Sequence, residues 1–267
     1  LFAAAPPETY CESGAFGLVD PRRPDEFPGY AAAFDNSFAA LEAGRRNRRE
    51  YGWMNYGDWW GERRWNWGNG EYDLAYVCAI HFARTANPDL LRRGEQMAIH
   101  STTVDTVHAP WRQPFRELVY AHSVGHVGGF FELDDPRITL PNRSMKGFIR
   151  GAFDGSGGHT FQGGNFLLGF LTADPRLLEC AERVCRNQAE TYTANWDFRI
   201  ERAAGWSLYN AVHAYRATRN PVFLNAAHLY LEKIVENQDP DTGGWRMPQG
   251  PPECDCPDAP HVGGKAF

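Results

Sequence analysis

Gln162–Tyr192 reads QGGNFLLGFLTADPRLLECAERVCRNQAETY. An apolar, aromatic segment runs to a polar turn, Thr172-Ala173-Asp174-Pro175, and an amphipathic segment follows it. Proline at a first helical position sacrifices no hydrogen bond, because that N–H has no intrahelical partner. The polar residue before it either ends the first helix or caps the second. The stretch is therefore predicted to be a helix hairpin.

The same pattern occurs twice more. Glu71–His100 turns at Thr85-Ala86-Asn87-Pro88, and Trp206–Gln238 turns at Thr218-Arg219-Asn220-Pro221. Thr172 and Thr218 are 46 residues apart, and Thr85 and Thr172 are 87 apart, close to two such periods. A fourth, divergent unit is expected between His100 and Gly151. Repeated helix hairpins stack as a solenoid or close as a ring. The Gly-rich, aromatic connections favour the ring, as does Asp241-Thr242-Gly243-Gly244-Trp245 after the last helix. The expected fold is all-α: an α/α toroid, incomplete or shortened, over 31–245. Extended Pro/Gly-rich termini are expected on either side, a strap over 1–30 and a Pro- and Cys-containing tail over 246–267. Between strap and hairpins, Ala32, Phe34, Phe38 and Leu41 mark a helix from Tyr30 to Arg49. Arg45, Arg46, Arg48 and Arg49 suit its negative C-terminal end.

Tyr51–Asp73, YGWMNYGDWWGERRWNWGNGEYD, holds five of the nine tryptophans. A core does not need tryptophan at that density. Indole faces between carboxylates, guanidinium groups and amides suit a sugar, whose C–H face stacks while its hydroxyls hydrogen-bond. Trp53, Asn55, Trp59, Trp60, Arg63, Arg64, Trp65, Trp67 and Asn69 are the candidate substrate-binding residues.

Histidines gather in the middle of the chain, in HSTTVDTVH (His100–His108), AHSVGHVGG (Ala121–Gly129) and GSGGHTFQGG (Gly155–Gly164). His108, His122, His126 and His159, with Tyr56, are candidate proton-transfer groups. His100, Asp105, His108, His122 and His126 carry enough nitrogen and oxygen ligands for a divalent metal. Asp58, between Gly57 and two tryptophans, is the candidate carboxylate of a hydrolytic pair, which needs about 6.5–9.5 Å between its members. His81, His213 and His228 lie mid-helix and read as satisfied core or surface residues.

Net charge is −6, which leaves no electrostatic footprint for nucleic acid. No apolar run is long enough for a transmembrane helix. Of six cysteines, Cys78 reads as a buried thiol, while Cys180 and Cys185 are poorly spaced to bridge each other. Cys254 or Cys256 could tie to Cys11, which suits an oxidising, extracellular or periplasmic setting. The chain opens on Leu1 with no leader pattern, and is expected to be a piece of a longer polypeptide.

YGWMNYGDWWGERRWNWGNGEYDLA, then VDTVH, HSVGH, GHTFQGG and LTADPRLLE, resembles in that order the C-terminal α/α-toroid domain of the YetA-like and rhamnogalacturonan exolyase proteins (polysaccharide lyase family 26 and relatives). The resemblance covers roughly Tyr51–Trp245. It implies an α/α toroid acting on or binding an acidic polysaccharide or oligosaccharide; β-elimination at a uronate is the first expectation, in a secreted setting, with a divalent metal as the one candidate cofactor. The alternatives are hydrolysis in the same cleft, and a non-catalytic carbohydrate-binding or self-associating subunit. Those proteins are longer and carry β-rich domains, and no comparable strand pattern occurs here.

Overall fold

A computed structural model describes residues 4–23, 25–51, 56–59, 68, 70–108, 119, 157–194, 198 and 201–245. Among them the chain is mostly helical, with isolated bridges in place of any sheet. Eight α-helices are described: α1 Pro7–Glu12, α2 Pro28–Arg48, α3 Leu74–Thr85, α4 Pro88–His100, α5 Gly163–Thr172, α6 Pro175–Thr191, α7 Glu201–Thr218 and α8 Pro221–Glu236. A π-helical turn, Ser101–Asp105, continues α4. No helix among these residues is long and apolar enough to cross a membrane.

The three predicted hairpins are α3–α4, α5–α6 and α7–α8. Their turns share one chemistry. Thr85, Thr172 and Thr218 each donate a hydroxyl to the carbonyl four residues back, at 2.6, 2.7 and 2.8 Å. Ala86, Ala173 and Arg219 then take left-handed backbone, φ 53°, 55° and 57°. Asn87, Asp174 and Asn220 accept from the amides of Asp89, Arg176 and Val222 at 2.9, 3.0 and 3.1 Å. The polar residue before proline therefore caps the second helix of each pair.

The helices α3, α5 and α7 lie in sequence, α5 packing on both, and each is covered by its hairpin partner. Small residues allow the approach. Ala75, Ala79 and Ala83 of α3 are buried with Leu167 and Leu168 of α5 and with Met97 of α4 in one core. A second core joins Phe166, Ala181, Ala214 and Phe223 from α5 to α8. Helix α3 packs directly on α5. Most of the segment between His100 and Gly151, where a further unit is expected, lies outside the described residues.

The N-terminal segment departs from an extended strap. Pro7 and Pro28 occupy first-turn positions, where proline starts a helix as readily as it breaks one. Helix α1 packs on α3, and Phe16 is buried in the core. Helix α2 matches the predicted span, and its C-terminal Arg45 pairs with Glu42 at 2.9 Å. Cys11 is a free buried thiol whose Sγ faces the Ala83 carbonyl at 3.7 Å; Cys254 and Cys256, its expected partners, lie outside the described residues. Cys78, Cys180 and Cys185 are likewise free and buried. Burial pushes the Cys78 thiol up to about 12.

Candidate functional site

Hairpin topology brings the N-terminal ends of α3 and α5 together, and Asp73 is the joint. Its Oδ1 accepts from the Tyr76 amide at 2.9 Å, capping α3. Its Oδ2 accepts from the Gly164 amide at 3.0 Å, at the start of α5, and from the Tyr209 hydroxyl of α7 at 3.0 Å. Burial pushes this carboxyl above the usual range, and those bonds pull against it. A Cβ on Gly164 would overlap the Tyr76 amide, and one on Gly163 would overlap the Tyr209 hydroxyl. Glycine is required at both positions for that close approach.

Beside this joint lies a cluster of charged and aromatic side chains. Glu71, buried, holds His159 Nδ1 at 2.7 Å through Oε2 and receives Arg202 Nη2 on Oε1. Arg202 Nε donates to the Gly158 carbonyl at 2.9 Å. The Arg202 guanidinium stands 5.2 Å over the ring of Tyr72, which is half exposed. Phe161 and Trp206 meet edge to face at 4.6 Å, and Trp206 meets Tyr209 the same way at 5.2 Å. Tyr72 lies 6.5 Å from Trp206. His159 Nδ1 thus meets both the Glu71 carboxylate and, at 3.4 Å, Arg202 Nη2, which together fix the orientation of the ring.

A second cluster is entirely interior. His100 Nε2 lies 3.2 Å from Asp105 Oδ1 and 3.7 Å from Asp58 Oδ2, and all three side chains are sealed from solvent. Burial raises the Asp105 carboxyl, with His100 opposing. Next to it, Asn165 bridges Ser101 Oγ at 3.2 Å and Gln162 Oε1 at 2.9 Å. Asn210 Oδ1 accepts from the Gln162 amide at 3.0 Å, and its Nδ2 donates to Gln188 Oε1 at 3.0 Å. This ladder ties the π-helical turn to α5, α6 and α7.

The sequence-predicted residues divide accordingly. His159 stands in the charged and aromatic cluster. Trp59 lies over Gly68, where a Cβ would strike its indole, and shares with Glu71, Tyr72, Phe34 and Phe38 a largely apolar cavity of about 330 Å³. Asp58 is enclosed with His100, so its carboxylate faces the interior and not a ligand. Tyr56 is at the surface. His108 is exposed on another side: a ring nitrogen meets the Thr102 carbonyl at 2.5 Å, and it lines a cavity with Thr103, Asp174 and Arg176. Trp59 and His108 therefore line two different cavities. His100 and Asp105 come together without His108, and among the described residues no group of three or more His, Cys, Asp or Glu is arranged for a metal. Trp53, Asn55, Trp60, Arg63, Arg64, Trp65, Trp67, Asn69, His122 and His126 lie outside the described residues.

Tyr72, Phe161, Arg202, Trp206 and Tyr209 were not singled out from the sequence. Arg202, Trp206 and Tyr209 follow one another by four and three residues, which is a single helix face. That spacing beside the Gly-rich loop before α5 was the available signal. Comparison with family models, with curated proteins and with solved structures finds no match.

Proposed function

We propose that this chain is a carbohydrate-active domain whose hairpins continue into an α/α toroid, and that it cleaves a uronate-containing polysaccharide by β-elimination. The observation that carries the reading is the Glu71–His159 pair at 2.7 Å, partly exposed beside the aromatic faces of Tyr72 and Trp206. Aromatic faces hold the sugar ring. His159 Nε2 removes the proton on the carbon next to the carboxylate, the electron pair forms the C4=C5 double bond, and the oxygen on C4 leaves with its chain. The Tyr72 hydroxyl protonates that oxygen, and His159 returns its proton to solvent, which restores both groups once Tyr72 is reprotonated. Arg202 commits Nε to Gly158 and Nη2 to Glu71, so Nη1 is the nitrogen that meets the substrate carboxylate. Histidine suits this role because its ordinary pKa lies near working pH.

Ultraviolet absorbance of the unsaturated product, assayed on rhamnogalacturonan, ulvan-like and glucuronan substrates, tests the reading. The native chain is expected to produce it, and His159→Ala to lose about 100-fold or more in rate with its melting temperature retained. No absorbance change on any substrate would remove β-elimination. New reducing ends without the double bond would move the assignment to hydrolysis. Saccharide binding lost in Trp206→Ala, without turnover in the native chain, would leave a binding domain.

A further inference from the structure

At the opposite end of α7 a different cavity opens, between the N-terminal loop Ser13–Phe16 and the helices α5 and α7. Its volume is about 460 Å³, inside the range of small-molecule sites. Phe16, Phe166, Leu167 and Leu171 make an apolar floor, and Phe170, more than half exposed, stands at the edge. Arg216 and Arg219 supply the charged side, and Ser13 and the buried His213, which burial and Arg216 keep neutral, complete the polar lining. Fourteen residues separate Arg202 from Arg216, about 20 Å along a helix, so this cavity is distinct from the His159 cluster.

We infer that this cavity binds an amphipathic carboxylate, its apolar body on the phenylalanine and leucine floor and its head group on Arg216 and Arg219. The chain is acidic overall, at −6, yet no Asp or Glu is among the described residues lining the cavity. Among the described residues Arg216 is held by carbonyls and by no carboxylate: Nη2 donates to Gly14 O at 3.2 Å and to Ala15 O at 3.1 Å. Its charge is oriented without being neutralised. The Arg219 guanidinium rests over the Tyr215 ring at 5.8 Å, again with no carboxylate partner among the described residues. A guanidinium fork pairs with a carboxylate through two parallel hydrogen bonds, stronger than neutral ones. The floor gains only from an apolar body, which separates this ligand class from inorganic anions. The inference stands independently of the β-elimination reading.

Titration calorimetry of the full chain with decanoate tests it, beside 1-decanol (same tail, no charge) and acetate (same head, no tail). Saturable one-to-one binding of decanoate is expected, with each control about tenfold weaker or more. Arg219→Met is expected to lower decanoate affinity about fivefold or more and leave 1-decanol unchanged. Arg216→Met should do the same, but it also releases the Gly14–Ala15 tether, so Arg219→Met is the cleaner variant. Equal binding of decanoate and 1-decanol, equal losses for both in Arg219→Met, or no saturable binding of decanoate would each overturn the inference. A vesicle arm, phosphatidylcholine with phosphatidylglycerol, separates a free ligand from a lipid surface. Vesicle binding that decanoate does not compete away would overturn the cavity assignment as well.

Discussion

Ala86, Ala173 and Arg219 occupy left-handed backbone at the end of the first helix in each hairpin, where a Cβ crowds the following carbonyl. Glycine is the usual residue at that position. The chain tolerates the strain because threonine on one side and a capping Asn or Asp on the other fix the turn. Ala173 is exposed, so its methyl contributes little packing. Ala173→Gly is therefore expected to stabilise the protein by up to about 1 kcal/mol, the relief of strain exceeding the entropy that glycine adds to the unfolded chain. A melting temperature about 2 °C higher would register it. An unchanged or lower value would mean that the left-handed alanine is not strained. Of this turn, the proline and its polar predecessor were legible in the sequence. The threonine back-bond was not, because a threonine at a helix end has many uses and its partner is fixed only once the helix forms.

Helices come into register here through their ends. Asp73 caps α3 with one oxygen and holds α5 and Tyr209 of α7 with the other, and the positive helix termini suit its charge. By contrast, Asp174 caps a single helix in a partly exposed turn. Asp174→Ala is expected to cost about 1 kcal/mol, the usual loss of one cap. Asp73→Ala leaves the Gly164 amide and the Tyr209 hydroxyl without their acceptor, in addition to the lost cap, for about 3 kcal/mol or more. Urea denaturation of the two variants decides it: equal losses would show that Asp73 serves α3 alone. The helix pairs were readable because 3.6-residue periodicity and Asx-Pro turns are local signals. Their adjacency was not. Small side chains at Ala75 and Ala79 and the glycines at 163 and 164 let α3 and α5 meet directly, which no local pattern announces.

Across the whole molecule, antiparallel hairpins place the starts of α3, α5 and α7 and the end of α4 at one pole. That is why Glu71, His159 and Arg202 converge from positions far apart in sequence. Clustering of histidines by loop type pointed to His159, but it equally nominated His108, which faces another side; position between Gly57 and two tryptophans nominated Asp58, which is sealed in. Sequence proximity to glycine and tryptophan does not encode which way a side chain turns, so burial decided those cases. Burial also sets a pH response. His81 lies under Phe34, ring centroids 3.5 Å apart, on α3, with Tyr30, Arg22, Arg84 and Asp35 around it. Burial first, then the two arginines, lowers it to about 4, while Asp35 opposes. A depressed histidine is neutral when folded and takes up its proton on unfolding. Its contribution is thus fully present above the ordinary value of about 6.5 and is lost as pH falls towards 4. His81→Phe keeps an aromatic ring against Phe34 and removes the titration. Relative to the native chain, the variant is expected to gain about 2 to 3 kcal/mol on going from pH 7.5 to 4.5. Denaturant unfolding at the two values measures it. A native-to-variant difference that is the same at both would show that His81 titrates alike in the folded and unfolded chain, and that the stack on α2 does not hold it neutral.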